Sequence, residues 1–364
     1  MRRKSKKPPL AAPWNRFLIS VAPNSTPPSV AHQQNFLGKF ASFLLTIALA
    51  VTVFVLMGTS LGSSSVELLS SSFEWGRSQG QFKWLRRLLW LVHREEGMCI
   101  AVWLWQSDPR FPLLLLLNRD ELHDRPTKPI HWWDDSSQIL GGKDCLAGGT
   151  WMACKRDGRI AFLTNVMEPN PFPEAKSRGN LPLRFLESRK SPLKFAEEVA
   201  AEADHYNGFN LILVDICSKS MVYISNRPKG EPVSIQDVLP GLHVLSNAKL
   251  DSPWHKAERL GRNFIQLLSK YGSEELPKKD MVELLMRDTV KAERARLPNT
   301  GADSEWELKL SSIFVDAEGQ RGRYGTRSSA VLLVKANGEV SIYETYLEKG
   351  VWKDHTFNFQ IQEA

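Results

Sequence analysis

Residues 98–121 read Met98-Cys99-Ile100-Ala101-Val102-Trp103-Leu104-Trp105-Gln106-Ser107-Asp108-Pro109-Arg110-Phe111-Pro112-Leu113-Leu114-Leu115-Leu116-Leu117-Asn118-Arg119-Asp120-Glu121. Two apolar runs, residues 100–105 and 112–117, flank the turn signal Ser107-Asp108-Pro109, which predicts a β-hairpin. A hairpin sets the start of one strand beside the end of its partner, so Cys99 and Arg119 become neighbours. The same texture continues beyond. Residues 151–154 and 160–166 pair across Lys155-Arg156-Asp157-Gly158. Helices are expected at 181–188 and from Ser191, an N-cap followed by Pro192, with Phe195, Val199 and Ala203 on the apolar face. Strands return at 209–216, 221–225 and 242–245. Helices follow at 253–271, where Ala257, Leu260, Phe264, Leu267 and Leu268 share a face, and at 280–290. Strands at 312–315, 327–335 and 340–347 close the chain, the last two joined by Asn337-Gly338. This order predicts an α+β fold of antiparallel sheets with helices on their outer faces.

Working outward, the 364 residues are 42% hydrophobic and 24% charged, which excludes a disordered or fibrous chain. The net charge of +7 would suggest a polyanionic partner if it were spread over the fold. It is not spread. Residues 1–97 hold 12 Lys+Arg against 4 Asp+Glu, which leaves 35 against 36 for the rest, so no nucleic-acid partner is expected. Residues 1–39 read as a disordered basic leader. Residues 40–61 carry no charge and are long enough for a single transmembrane helix. Residues 62–97 read as a linker whose segment 81–92 is amphipathic. The domain proper is expected over residues 98–364.

Four cysteines, none in a C-x-x-C pair, and eight scattered histidines give no metal site. No glycine-rich phosphate loop follows a strand. Chemistry can sit elsewhere. Were Met98 removed, Cys99 would carry a free α-amine, giving one residue both a nucleophilic thiolate and a base with a pKa near 8. The plain alternative is a core thiol at a strand end. Arg119, with Asp120 or Glu121, could stabilise the thiolate and orient the amine, and a solvated turn is the plain alternative there. Asn247, Arg327 and Asn165 stand at strand ends, where an amide or guanidinium suits an oxyanion or a carboxylate and where Asn is also ordinary turn chemistry.

Met98-Cys99-Ile100, Asn118-Arg119-Asp120-Glu121, Gly149-Thr150-Trp151, Thr164-Asn165-Val166, Ser177-Arg178-Gly179, Asn207-Gly208-Phe209-Asn210, Leu245-Ser246-Asn247, Asp251-Ser252-Pro253-Trp254 and Tyr324-Gly325-Thr326-Arg327-Ser328-Ser329 occur in that order. Together they resemble the NRDE family, also called the transport and Golgi organisation protein 2 family. The resemblance implies an Ntn-hydrolase-like four-layer αββα sandwich. It also implies roles in Golgi organisation, protein secretion and haem or lipid trafficking. More remotely the site is similar to those of bile-salt hydrolases and penicillin V acylases. That likeness implies catalytic places for Cys99, Arg119, Asp120 or Glu121, Asn247 and Arg327, with Asn165 beside them.

Three readings of function follow. One is an N-terminal-nucleophile cysteine amidohydrolase acting on C–N amide bonds, needing no cofactor. The others are a binding module for a small hydrophobic ligand such as haem or a lipid, supplied with Trp103, Trp105, Trp132, Trp133, Trp151 and Trp254, and a membrane-anchored Golgi scaffold. Members of the resembled family look like a chain starting at Met98. Initiation there, self-cleavage at Met98-Cys99 and an uncleaved anchored chain are therefore the three cases for the nucleophile. A retained leader implies a Golgi or endomembrane location; a start at Met98 implies cytoplasm or mitochondrion.

Overall fold

In a computed structural model of the chain, the described residues are 98–134, 138–168, 171–172, 174–271, 276–319 and 322–362. The chain divides into two units, Met1–Lys83 and Trp84–Ala364, and every described residue belongs to the second. The basic leader, the span at 40–61 and the linker at 62–97 lie outside the described residues. Among the described residues no helix is long and apolar enough to cross a membrane.

The opening hairpin forms as its pattern requires. β1 (Ile100–Asp108) and β2 (Phe111–Leu122) pair antiparallel, with Ile100 opposite Asn118 and Trp103 opposite Leu115. They are interior strands of a sheet ordered β10-β1-β2-β12-β13-β14, where β10 is Gly241–Leu245, β12 Gly322–Val334, β13 Glu339–Glu348 and β14 Val351–Gln360; β11 (Asp316–Gly319) also pairs with β12. The second sheet runs β3-β4-β5-β6-β7-β8-β9 in sequence order: Thr127–Trp132, Ile139–Asp144, Met152–Lys155, Arg159–Asn165, Phe209–Asp215, Ser220–Ser225 and Ser234–Asp237.

Alternation along each strand sorts the side chains into three apolar layers. Ala101, Trp103 and Trp105 of β1 and Leu113, Leu115 and Leu117 of β2 meet Met152, Phe162, Ile212 and Tyr223 of the other sheet in the central core. The alternate residues Ile100, Val102, Leu114 and Leu116 face α3 (His255–Tyr271) through Leu260, Phe264 and Leu267. On the far side, Ala161, Leu163, Leu211 and Leu213 pack on α1 (Asn180–Glu187) and α2 (Pro192–Ala201). The layers are therefore helix, sheet, sheet, helix. Ser191 caps α2 as expected, its hydroxyl accepting from Lys194 N.

Two expected elements differ. Residues 312–315 form no strand. Ile313 and Val315 are buried, and side chains help to hold their backbones: Asn118 Nδ2 donates to Ile313 O at 3.0 Å and Val315 N donates to Thr326 Oγ1 at 3.0 Å. The expected helix at 280–290 is a single α-turn, α4 (Lys278–Met281), continuing into a π-turn over Val282–Met286. Asp288 then stops it, accepting Val290 N at 2.9 Å and Arg259 Nε at 2.6 Å. A further helix, α5 (Ser304–Lys309), is capped by Asp303.

Candidate active site

Extending the β1–β2 register by one position past Ile100, and the β1–β10 register by two past Ala101, sets Cys99 between Arg119 and Asn247. The entry to β1 thus delivers a thiol flanked by a guanidinium and an amide. Alternation then divides the run that follows β2's apolar stretch. Asn118 and Asp120 turn to the helical layer, Arg119 and Glu121 to the layer between the sheets. Asn118 is structural, bridging Met286 O at 2.7 Å and Ile313 O at 3.0 Å. On the other side of β2, the β12 register shifts between Thr326 and Ser328, leaving Arg327 as an inserted bulge residue. Bulges re-aim side chains at sheet edges and sites, and this one frees Arg327 from the pleat.

A cavity of about 50 Å³ lies against the thiol, lined by Cys99, Arg119, Asp120, Glu121, Asn165 and Trp151, with Thr150 and Arg178 beside them. Five of the seven residues singled out from the sequence therefore share one cavity. Asn247 sits behind it, its Nδ2 donating to Asn165 O at 2.8 Å and its Oδ1 accepting Ser246 Oγ–H at 2.9 Å. Arg327 lines a second cavity of about 180 Å³, whose wall shares Arg119 and Trp151 with the first. Arg119 Cζ stands 4.2 Å from the centre of the Trp151 ring, and its Nη2 is 3.9 Å from Glu121 Oε2.

Burial dominates the electrostatics. It pushes the Cys99 thiol up to about 12, helped by the Asp120 carboxylate, while the Asp120 backbone and Arg119 pull it down. In a chain that keeps Met98, the thiol is neutral. Burial also raises Asp120 to about 7 against the pull of Lys256, the Thr326 hydroxyl and Arg119. Its Oδ1 accepts from Thr326 Oγ1 at 2.7 Å; its Oδ2 is buried with no hydrogen-bond partner. Glu121 is raised by burial against Arg119 and Arg125, with Oε1 accepting Leu122 N at 2.9 Å. Orphan polar atoms gather here: Asn165 Oδ1 and Arg327 Nε are buried without partners too. Met98 itself is buried in a small apolar cluster with Leu122, Leu310, Val315 and Tyr324, its backbone N donating to Tyr324 OH at 2.7 Å.

Several participants were not singled out from sequence. Lys256, only 3% exposed, donates to Leu310 O at 3.1 Å and Asn247 Oδ1 at 3.5 Å, and is pushed down by burial against the pull of Asp120. Its one signal was a lysine in the first turn of an apolar-faced helix. Asn210 Nδ2 reaches Ala248 O at 2.8 Å, and Tyr223 OH donates to Asn210 Oδ1 at 2.8 Å, which ties the second sheet to the loop carrying Asn247. Of the six tryptophans expected as a ligand supply, Trp103 and Trp105 lie in the central core and Trp151 faces the cavities. Among the described residues no cluster of His, Cys, Asp and Glu could hold a metal ion.

Fold and site define a class: an α+β sandwich of two antiparallel sheets with helices on its outer faces, and a cysteine immediately before strand β1. Within that class the chain belongs to the Transport and Golgi organisation 2 family, whose sequence model matches residues 98–349. It is 34% identical over 283 residues to the Transport and Golgi organization 2 homolog of Mus musculus, covering 73% of this chain and 100% of that one. The Homo sapiens homolog is 31% identical over 287 residues, with the same coverage. Among solved structures it is similar to a Caenorhabditis elegans N-acylethanolamine-hydrolyzing acid amidase ortholog. There the TM-score is 0.31 and identity 16%, covering 51% of this chain and 85% of that one, too loose a likeness to assign chemistry.

Proposed function

We propose that the domain is a cysteine amidohydrolase of the N-terminal-nucleophile type, active once Cys99 carries a free α-amine. The observation that carries this reading is the orphaned Asp120 Oδ2, buried without a partner in a residue that lines the same cavity as Cys99. An α-ammonium at Cys99 would supply the missing donor and ionise the carboxyl. In the reaction the α-amine takes the thiol proton and the thiolate attacks the amide carbonyl carbon. Asn247, whose Nδ2 gives one hydrogen to Asn165 O, would turn the other to the developing oxyanion. The α-ammonium returns the proton to the departing amine, the C–N bond breaks, and water hydrolyses the thioester, regenerating the thiol and releasing a carboxylic acid. Arg119 holds charge beside the sulfur. A small amide or acyl ligand fits this chemistry, and Golgi organisation, secretion and haem or lipid trafficking would be the setting in which it acts.

A second reading follows for any chain that retains Met98. Its thiol is held neutral, and the same cavities then serve a non-catalytic haem- or lipid-binding module or an anchored scaffold. One experiment separates the two. Intact-mass analysis of the protein from its native cells, after exposure to an acyl electrophile, is expected to show chains beginning at Cys99 and acylated once. Cys99→Ala abolishes the adduct. Chains that all keep Met98 and never label would sink the hydrolase.

A further inference from the structure

Arg119 is 5% exposed, yet its guanidinium makes no hydrogen bond among the described residues; it has only the Trp151 face and a 3.9 Å approach to Glu121. Such a buried, unbonded cation is costly unless a partner arrives. Arg327 stands across the same cavity in a similar condition. Its Nη1 donates to Leu122 O at 3.1 Å and Arg125 O at 2.5 Å, but its Nε is buried without a partner. Burial and the neighbouring Arg119 push the Arg327 guanidinium down to about 10, which marks two cations held close. Lys128 and Lys349 line the exposed rim with no ion pair among the described residues.

The acids at this cavity do not balance these charges. Glu344 accepts Ile130 N at 2.7 Å and pairs with His355 Nε2 at 2.9 Å, both through Oε2, while its Oε1 is buried without a partner and is the one buried acid oxygen there left unused. Glu348 pairs with Lys353, and Asp124 is exposed. Arg125, the remaining guanidinium, is already neutralised by Asp144 at 2.6 Å. What remains is a cavity of about 180 Å³ with an excess of positive charge and unused N–H donors, joined to the thiol cavity through the Arg119–Trp151 pair.

We infer that the second cavity is an anion subsite, in which Arg119 and Arg327 bind the carboxylate or phosphate of an acyl ligand whose carbonyl lies at Cys99. This rests on the proposed reaction for the position of the carbonyl, while the anion site stands on its own geometry. A guanidinium pair suits either anion, because planar forks match both in bidentate fashion. The substrate class is therefore an acyl compound with an anionic end, rather than a neutral amide.

Calorimetric titration of the full chain carrying Cys99→Ala tests the subsite without the chemistry, with octanoate, octyl phosphate and octanamide as probes. One anion is expected to bind with one-to-one stoichiometry and at least about tenfold more tightly than octanamide. Arg327→Gln should erase that preference. Lys128→Gln, at the exposed rim and away from the fold's hydrogen bonds, should weaken anion binding about two- to fivefold and leave octanamide unchanged. Preference for octyl phosphate over octanoate assigns a phosphate ligand, and the reverse a carboxylate. Octanamide binding as tightly as both anions, no anion binding at all, or anion affinity untouched by both substitutions would overturn the subsite. A chain that never acylates at Cys99 but binds octanoate in this way would refute the reaction and leave the subsite standing.

Discussion

At the scale of single residues, Asp120 carries the clearest consequence. Its carboxyl is raised to about 7 in the folded chain, against a value near 4 when unfolded. Below pH 4 both states are protonated and the neutral acid is fully accommodated. Between pH 4 and 7 the unfolded chain has released its proton and the folded chain has not, so stability falls as pH rises and is lost through the folded pKa. The loss is on the order of a few kcal/mol, at about 1.4 kcal/mol for each pH unit. Asp120→Asn cannot titrate and can still accept the Thr326 hydroxyl. Thermal melts of the two proteins are expected to show the wild-type advantage shrinking from pH 4 to 7 and flat above pH 8. A difference independent of pH would mean that Asp120 ionises as an ordinary surface acid.

Elements set the next scale, and here sequence and structure part in an instructive way. Strands with an apolar face on a core were legible: β1, β2, β6, β7, β8, β12 and β13 lie where their runs predicted, as do α1, α2 and α3. Those missed lack such a run. β14 is largely exposed along its length, and β9 is a short edge strand. β3 carries Pro129 and β4 carries Gly141-Gly142, both written in the residues of turns. Gly142 is required because a Cβ there would lie 2.0 Å from the Trp151 ring. The site was legible for a related reason. Cys99, Arg119 and Asp120 follow from one hairpin register, whereas Lys256 and the bulge at Arg327 depend on elements far apart in the chain. Gly149 gives the test at this scale. Its Cα faces Gly179, with Thr150 N donating to Gly179 O at 3.0 Å, and an added Cβ would meet the Gly179 carbonyl carbon at 2.4 Å. Backbone cannot yield as a side chain tip can, so Gly149→Ala should cost at least about 1–3 kcal/mol in denaturant unfolding. The same change should displace Thr150 and Trp151 at the thiol cavity and slow any acylation of Cys99. Unchanged stability would mean that the two glycine-bearing loops do not touch in solution.

Across the whole molecule, the two sheets are held by one shared core, and the site depends on that union. Cys99 and Arg119 come from one sheet, Asn165 and Trp151 from beside the other, and Asn247 is tied to both by Asn165 O and Ser246 Oγ. One contact that joins the sheets within this core is Trp103 of β1 against Phe162 of β6. Both are fully buried, with ring centroids 5.3 Å apart and planes at 77°, the edge-to-face geometry that aromatic quadrupoles favour. If the sheets fold as one unit, tryptophan fluorescence and far-ultraviolet circular dichroism should report a single denaturation midpoint for the domain. Trp103→Leu and Phe162→Leu should each destabilise it by about 1–3 kcal/mol. The Trp103 change should sit lower in that range, because it also removes a buried Nε1 that has no partner. The double variant should lose about 0.5–1.5 kcal/mol less than the two single losses together, since the second change finds the pair already broken. Strict additivity, or separate midpoints for the two probes, would show that the sheets are not coupled through this pair and that the cavity at Cys99 is held together by its loops instead.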